Sequence, residues 1–297
     1  MNNKMTLRKK QLAVAIGVLC LTLSQPVWAI SITTQTNADN LVNTLMTGGI
    51  GIDTASVSAT LYGHATTGGA SSSGTYTNAS NTYGIGGGIV LSTGNINNYN
   101  DGSSTITNKT TNYYTAATAD QATLLNQVAS GSYYDVTELD IHFNMLPGYN
   151  QVSFNATFGS EEYPNYVGNQ FVDTLGLFVN GTNIAYANGA PININNPDMT
   201  TAPGATTELN GVLGGSTGPL GPFVYTLSSS VNLTDNVIIL IIADQTDGNL
   251  DSTAFFSQLS GIASLPPSPP IPEPASLLLF GMGLAGLAAA HRRRSTI

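Results

Sequence analysis

The sequence predicts an all-β fold: a single β-sandwich or jelly-roll-like domain with one or two short helices, followed by a separate hydrophobic helix at the C-terminus. Three observations carry that expectation. Only 8% of the residues are charged, where ordinary globular domains average about 25%, and 32 glycines with abundant Thr, Ser and Asn suit strands joined by turns better than helices. Apolar and polar residues alternate over long stretches, the period of a strand with one face in a core. Helical periodicity is confined to two short segments and no internal repeat is present.

Taken in order, residues 1–29 read as a signal peptide. Lys4, Arg8, Lys9 and Lys10 precede an apolar run from Leu12 to Leu23, and Val27-Trp28-Ala29 sets small residues where a signal peptidase reads, so cleavage is expected after Ala29. The run is too short to span a bilayer and is followed by Gln25 and Pro26. Cys20, the only cysteine, falls in the removed segment. The exported chain then has no disulfide, no thiolate nucleophile and no Cys zinc site.

The body, residues 30–264, is long enough for one sizeable sandwich. Asn37 to Thr47 places Leu41, Leu45 and Met46 on one helical face, and Thr118-Ala119-Asp120-Gln121 has capping-box spacing before a second short helix. Between them lies a Gly/Ser/Thr/Asn-rich region with strands expected only around 57–61 and 89–92. From Val136, Leu139, Ile141, Phe143 and Met145 alternate with Asp140, His142 and Asn144. Pro147-Gly148 marks a turn, and Val152, Phe154, Ala156 and Phe158 alternate next, which predicts a hairpin. A second hairpin is expected from Leu175–Val179, the turn Asn180-Gly181, and residues 182–187. Residues 188–221 read as a proline-broken insertion, and Phe223, Tyr225 and Leu227 as a strand. The run from Val237 to Ala243 is apolar throughout and β-branched, a central strand buried on both faces, with Ala254 to Ser260 pairing near it.

After the body, residues 265–274 form a proline-rich spacer ending in Pro272-Glu273-Pro274. The apolar stretch Ala275 to Ala290 follows, then His291 and Arg292-Arg293-Arg294, whose charges would hold that end in the cytoplasm while the helix enters the membrane. The tripeptide, the Gly-rich helix and the basic end stand in the order of the PEP-CTERM sorting signal of Gram-negative bacteria, which residues 271–297 resemble. That resemblance implies processing by an inner-membrane exosortase and delivery to the cell surface or the exopolysaccharide matrix.

Charge excludes one class of partner. Lys109 is the only basic residue between positions 11 and 291, against all 17 acids of the chain. Such a body cannot neutralise phosphates, so no nucleic acid is expected.

Within the body, Phe158-Gly159-Ser160-Glu161-Glu162-Tyr163-Pro164-Asn165-Tyr166-Val167 resembles the signature of the choice-of-anchor L domain. Matching pieces stand in order: residues 87–94 upstream, Phe171-Val172-Asp173-Thr174 downstream, and Ala243-Asp244-Gln245-Thr246-Asp247-Gly248-Asn249-Leu250-Asp251-Ser252 late in the chain. Val172 departs from the Asn that usually precedes the position of Asp173. The resemblance spans about residues 37–261 and implies a surface domain with no established reaction.

The acids of these segments are the candidate site residues. Asp244, Asp247 and Asp251 leave the buried strand within eight residues, with Gly248 among them, and hard cations such as Ca²⁺ take several loop oxygens of this kind. Glu161, Glu162 and Asp173 would complete a metal site. The same acids also suit Asx-turns whose carboxylates cap backbone N–H groups. Two functions follow from these readings. The first is a non-catalytic structural or adhesive component of the envelope or matrix, with exopolysaccharide or other surface proteins as partners. The second is a secreted glycan-modifying hydrolase, although adjacent Glu161 and Glu162 in extended chain point apart and at most one would face a given site.

Overall fold

The computed structural model describes residues 30–79, 81–100, 108–201, 209–213, 220–227 and 233–263, together with Leu284. The signal peptide through Ala29, the Pro272-Glu273-Pro274 tripeptide, Arg292 to Arg294 and all of the expected C-terminal helix but Leu284 lie outside the described residues. Among the described residues no helix is long and apolar enough to cross a membrane.

The strands in chain order are β1 (Ser31–Thr34), β2 (Ile52–Tyr62), β3 (Ser73–Thr77), β4 (Gly88–Ser92), β5 (Tyr133–Met145), β6 (Tyr149–Ser160), β7 (Thr174–Val179), β8 (Thr182–Asn183), β9 (Tyr186–Ala187), β10 (Ala190–Pro191), β11 (Met199–Thr201), β12 (Gly211–Leu213), β13 (Leu220–Thr226), β14 (Asn236–Gln245) and β15 (Ser252–Ala263). The α-helices are α1 (Ala38–Leu45) and α2 (Ala119–Leu125). An eight-stranded sheet runs β1-β3-β4-β15-β6-β12-β11 with β13 also on β6, and a five-stranded sheet runs β2-β5-β14-β7-β8. Both are antiparallel.

Alternation decides which residues fill the space between the sheets. Leu139, Ile141 and Phe143 of β5, Ile238, Leu240 and Ile242 of β14, and Leu175, Leu177 and Val179 of β7 meet Ile89 and Leu91 of β4, Phe154, Ala156 and Phe158 of β6, and Ala254 and Phe256 of β15 in one buried cluster. Helix α1 adds Leu41, Val42 and Leu45 to it. The alternate residues of β14, Ile239, Ile241 and Ala243, lie on the outer face, where Leu125 of α2 and Phe178 cover them. Buried on both faces and bonded on both edges, β14 is the central strand its composition predicts. The helix caps are as the sequence indicates: Asn37 Oδ1 accepts from Asn40 N at 2.9 Å, and Thr118 and Gln121 form a reciprocal capping box.

Two pairings differ from expectation. β5 and β6 do not form a hairpin: β5 bonds β2 and β14, while β6 bonds β12, β13 and β15 in the other sheet. Pro147-Gly148 carries the chain from one sheet to the other, with Gly148 at φ 90°. Likewise β15 faces β14 across the core and pairs with β4 and β6. The physical reason is the same for both. Alternation identifies an apolar row, and two apolar rows attract each other equally well side by side or face to face.

The turn Asn180-Gly181 has φ values of 49° and 77°, the geometry a two-residue hairpin needs, and joins β7 to β8. The strand expected to follow through residue 187 is divided between β8 and β9. The supposed insertion 188–221 contributes β10, β11, β12 and the start of β13, and β12 extends the sheet from β6. Strand β3 was hidden in its Gly/Ser/Thr composition; its Gly74 lies against Thr33 and Ile96, where a Cβ would fall 2.4 Å from the Ile96 side chain.

Candidate functional site at the strand ends

At one end of the sandwich the inward-facing rows of six strands change from apolar to polar at the same level. Ile242 gives way to Asp244 on β14, Leu175 to Asp173 before β7, Phe158 to Ser160 on β6, Ala254 to Ser252 on β15, Leu91 to Thr93 after β4, and Leu139 to Thr137 on β5. All six polar residues are buried, Asp244 being 1% exposed and the others 0%. Strands β7 and β14 pair at Leu175 with Ile242 and Thr174 with Ala243, so the next step sets Asp173 opposite Asp244 on one face. Like charges so placed repel each other.

The two carboxylates are held very differently. Asp173 Oδ2 accepts from the hydroxyls of Ser252 at 2.7 Å and Ser160 at 3.3 Å, and its Oδ1 accepts from Gln245 N at 3.3 Å. Burial, eased by those bonds, still raises its pKa to about 8. Neither oxygen of Asp244 has a hydrogen-bond partner of ordinary geometry. Burial and then the charge of Asp173 push Asp244 well above the usual carboxylate range, with the Thr93 hydroxyl offering only partial relief and Asp251 and Asp135 adding repulsion.

Loops bring further acids to this end. Asp251 Oδ1 accepts from Thr111 N at 2.7 Å while its Oδ2 is open, and burial raises it to about 6. Gly94 packs flush on that carboxylate, since a Cβ there would lie 1.8 Å from Asp251 Oδ2. Asp135, at φ 48° in a bulge where β5 takes an extra residue against β14, caps the N–H groups of Tyr113 and Thr115 at 2.8 and 2.9 Å. Gly248 lies against Asp135 Oδ2, where a Cβ would come within 2.7 Å. Its role is close approach, and the positive φ values of this loop fall instead on Thr246 and Leu250.

Glu161 and Glu162 lie in the turn that follows β6, not in extended chain, and have different surroundings. Glu161 pairs with Lys109 Nζ at 3.5 Å and accepts from Asn108 N at 3.0 Å; burial outweighs these and raises it to about 7. Glu162 leaves Oε2 unpartnered, and burial followed by Asp173 and Asp247 raises it to about 10. It lines a pocket of about 330 Å³ with Asn108, Asn165, Tyr166, Asp247 and Asn249. Tyr166 meets Phe171 edge-on there, ring centres 5.3 Å apart. Asp247 accepts its own loop's Asn249 N at 3.0 Å.

Of the six sequence-derived candidates, Asp173 and Asp244 belong to the buried layer, Asp251 adjoins it, Glu162 and Asp247 line the pocket, and Glu161 is taken by Lys109. Among the described residues no group of three His, Cys, Asp or Glu side chains is placed to hold a metal ion. Thr93, Thr137, Ser160 and Ser252 went unnoticed in the sequence, although extending each strand's alternation by one more inward position would have found them.

The choice-of-anchor L domain profile matches residues 30–261, and that of the PEP-CTERM protein-sorting motif matches residues 270–294. No curated protein and no solved structure matches the chain. The C-terminal motif is the element an exosortase recognises and processes, and with the domain before it marks an exported, surface-sorted protein. On a match that covers nearly all of the β-sandwich, with the signature acids gathered at one end of it, the chain belongs to the choice-of-anchor L domain family.

Proposed function

We propose that the protein is a non-catalytic structural or adhesive component of the envelope or exopolysaccharide matrix of a Gram-negative bacterium. Signal peptidase cleaves after Ala29, an inner-membrane intermediate is held by residues 275–297, and exosortase processing at Pro272-Glu273-Pro274 releases the domain to the surface. The observation that carries the adhesive reading is the open pocket at the sandwich end. Its Asn108, Asn165 and Asn249 amides offer paired donors and acceptors, and half-buried Tyr166 offers a ring, the mixture that suits sugar hydroxyls and C–H faces. The test is retention of purified protein on exopolysaccharide from the producing cells. Tyr166→Ala with Asn165→Ala is expected to weaken retention about tenfold or more without changing the melting temperature, and unchanged retention would remove the pocket from the account.

A second reading, glycan hydrolysis, draws on Glu162 and Asp247 lining the same pocket. Glu162, protonated at neutral pH, would serve as general acid and Asp247 as base. Release of reducing ends from that exopolysaccharide, lost in Glu162→Gln, would establish this reading and displace the first.

A further inference from the structure

The polar layer and its rim hold three buried carboxylate oxygens without a partner, both of Asp244 and Oδ2 of Asp251, on two side chains close enough for Asp251 to repel a charge on Asp244. Both side chains are at least 99% buried. Asp244 continues the inward row of Ile238, Leu240 and Ile242, so it is aimed between the sheets. A buried charge left without a counter-charge is strongly unfavourable. Among the described residues the one Lys or Arg, Lys109, pairs with Glu161.

Carboxylates in that position are neutralised by protons, their own or a shared one, or by a cation. A proton shared between two carboxyls leaves a hydrogen bond between them. Asp244 makes no such bond. The side chains that bear on Asp244, the Asp173, Asp251 and Asp135 carboxylates and the Thr93 hydroxyl, are all oxygen donors. Neither histidine of the body joins them, since His64 bonds Val136 O and His142 is exposed on β5. An all-oxygen set of this kind selects a hard divalent ion. Gly94 leaves the room in which the Asp251 carboxylate lies.

We propose that Asp244 and Asp251 together bind a calcium-class divalent cation, with Thr93 as a neutral oxygen beside them and Asp173 adding negative field. Asp244 ends β14 in one sheet and Asp251 precedes β15 in the other, so the cation clamps the sheets together where the apolar core stops. The inference goes beyond the adhesive reading and stands or falls independently of the pocket.

The full chain in mild detergent, stripped with EDTA, is titrated with CaCl₂ while binding heat and melting temperature are followed. One ion is expected to bind with an affinity typical of extracellular modules, about 0.1–1 mM, and 10 mM Ca²⁺ to raise the melting temperature by roughly 3–10 °C. Asp244→Asn should erase the shift while raising the melting temperature in EDTA at pH 8, because it removes a buried carboxyl that must otherwise be kept protonated or charged there and keeps the shape. Asp247→Asn, in the exposed loop, should leave the shift intact. If Asp244→Asn does not fold, Asp251→Asn is read in the same way, and wild-type binding heat stands apart from either variant. Identical wild-type melting in EDTA and 10 mM Ca²⁺, with no binding heat, overturns the proposal. So does a shift that survives Asp244→Asn but not Asp247→Asn.

Discussion

Glu138 and Asp140 on β5, and Asp173 and Asp244 at the strand ends, are both carboxyl pairs in a body with one basic residue, yet the fold treats them in opposite ways. Glu138 and Asp140 sit two residues apart on the outward row of one strand, near enough to influence each other's titration, with the Gln121 side chain of α2 favouring ionised Glu138. Burial raises Glu138 to about 7, and the pair leaves one buried oxygen, Asp140 Oδ1, without a partner. Asp173 and Asp244 share the inward face of two neighbouring strands. Hydroxyls and an amide satisfy the first, while both oxygens of the second remain open. The difference teaches that acids close together do not make a binding site; unanswered oxygens enclosed among them do.

Substitutions that leave one pair intact while disturbing the other sharpen this contrast. The largest effect is expected one inward position before the polar layer, at Phe158. Phe158→Ala opens a cavity in the core between the sheets and should cost about 3–5 kcal/mol by denaturant titration. The cost should be equal in chelator and in Ca²⁺, because the layer itself is untouched. Gly94→Ala should cost about 1–3 kcal/mol, since its Cβ would fall on the Asp251 carboxylate, and should also remove the Ca²⁺ response. A variant that keeps full Ca²⁺ response would place the ion elsewhere. Ser252→Ala deletes the 2.7 Å bond to Asp173 and should cost about 1–2 kcal/mol in chelator.

The smallest effect belongs to the pair on β5. Glu138 keeps its proton in the folded state up to about pH 7 and gives it up near its ordinary value when unfolded. Its contribution is therefore full at low pH and is lost as pH rises toward 7. Glu138→Gln should flatten that part of the stability profile and leave the Ca²⁺ shift unchanged. A changed shift would mean that the two pairs communicate.

Much of the fold was legible because alternation fixes which face of a strand is apolar. The capping box at Thr118, the turn at Asn180-Gly181 and the central strand around Ile241 all follow from residues within a few positions of one another. Pairing was less legible: the rows of Phe143 and Phe154 look like a hairpin until it is known that they face each other across a core. The site was legible only as a list of acids. Which of them are answered depends on contacts from far along the chain, such as Thr111 N on Asp251 and Lys109 on Glu161, from segments 140 and 52 residues away. No local spacing encodes that Asp173 receives two serine hydroxyls while Asp244 receives none.

The most direct test of the account is the stability of the full chain against pH in chelator and in 10 mM Ca²⁺. Asp173 at about 8, Asp251 at about 6, Glu162 at about 10 and the raised Asp244 all hold protons in the folded state that the unfolded chain releases near pH 4. Among the described residues the one Lys or Arg, Lys109, serves Glu161, and Asp135 is spent on backbone caps. In chelator, stability should accordingly be greatest at low pH and fall as pH climbs from about 4 to 8. Calcium, binding the ionised oxygens in place of protons, should reverse most of that fall at pH 8 and do little at pH 4. A chelator profile that is flat or rises with pH, or one that calcium leaves unchanged at pH 8, would contradict the account.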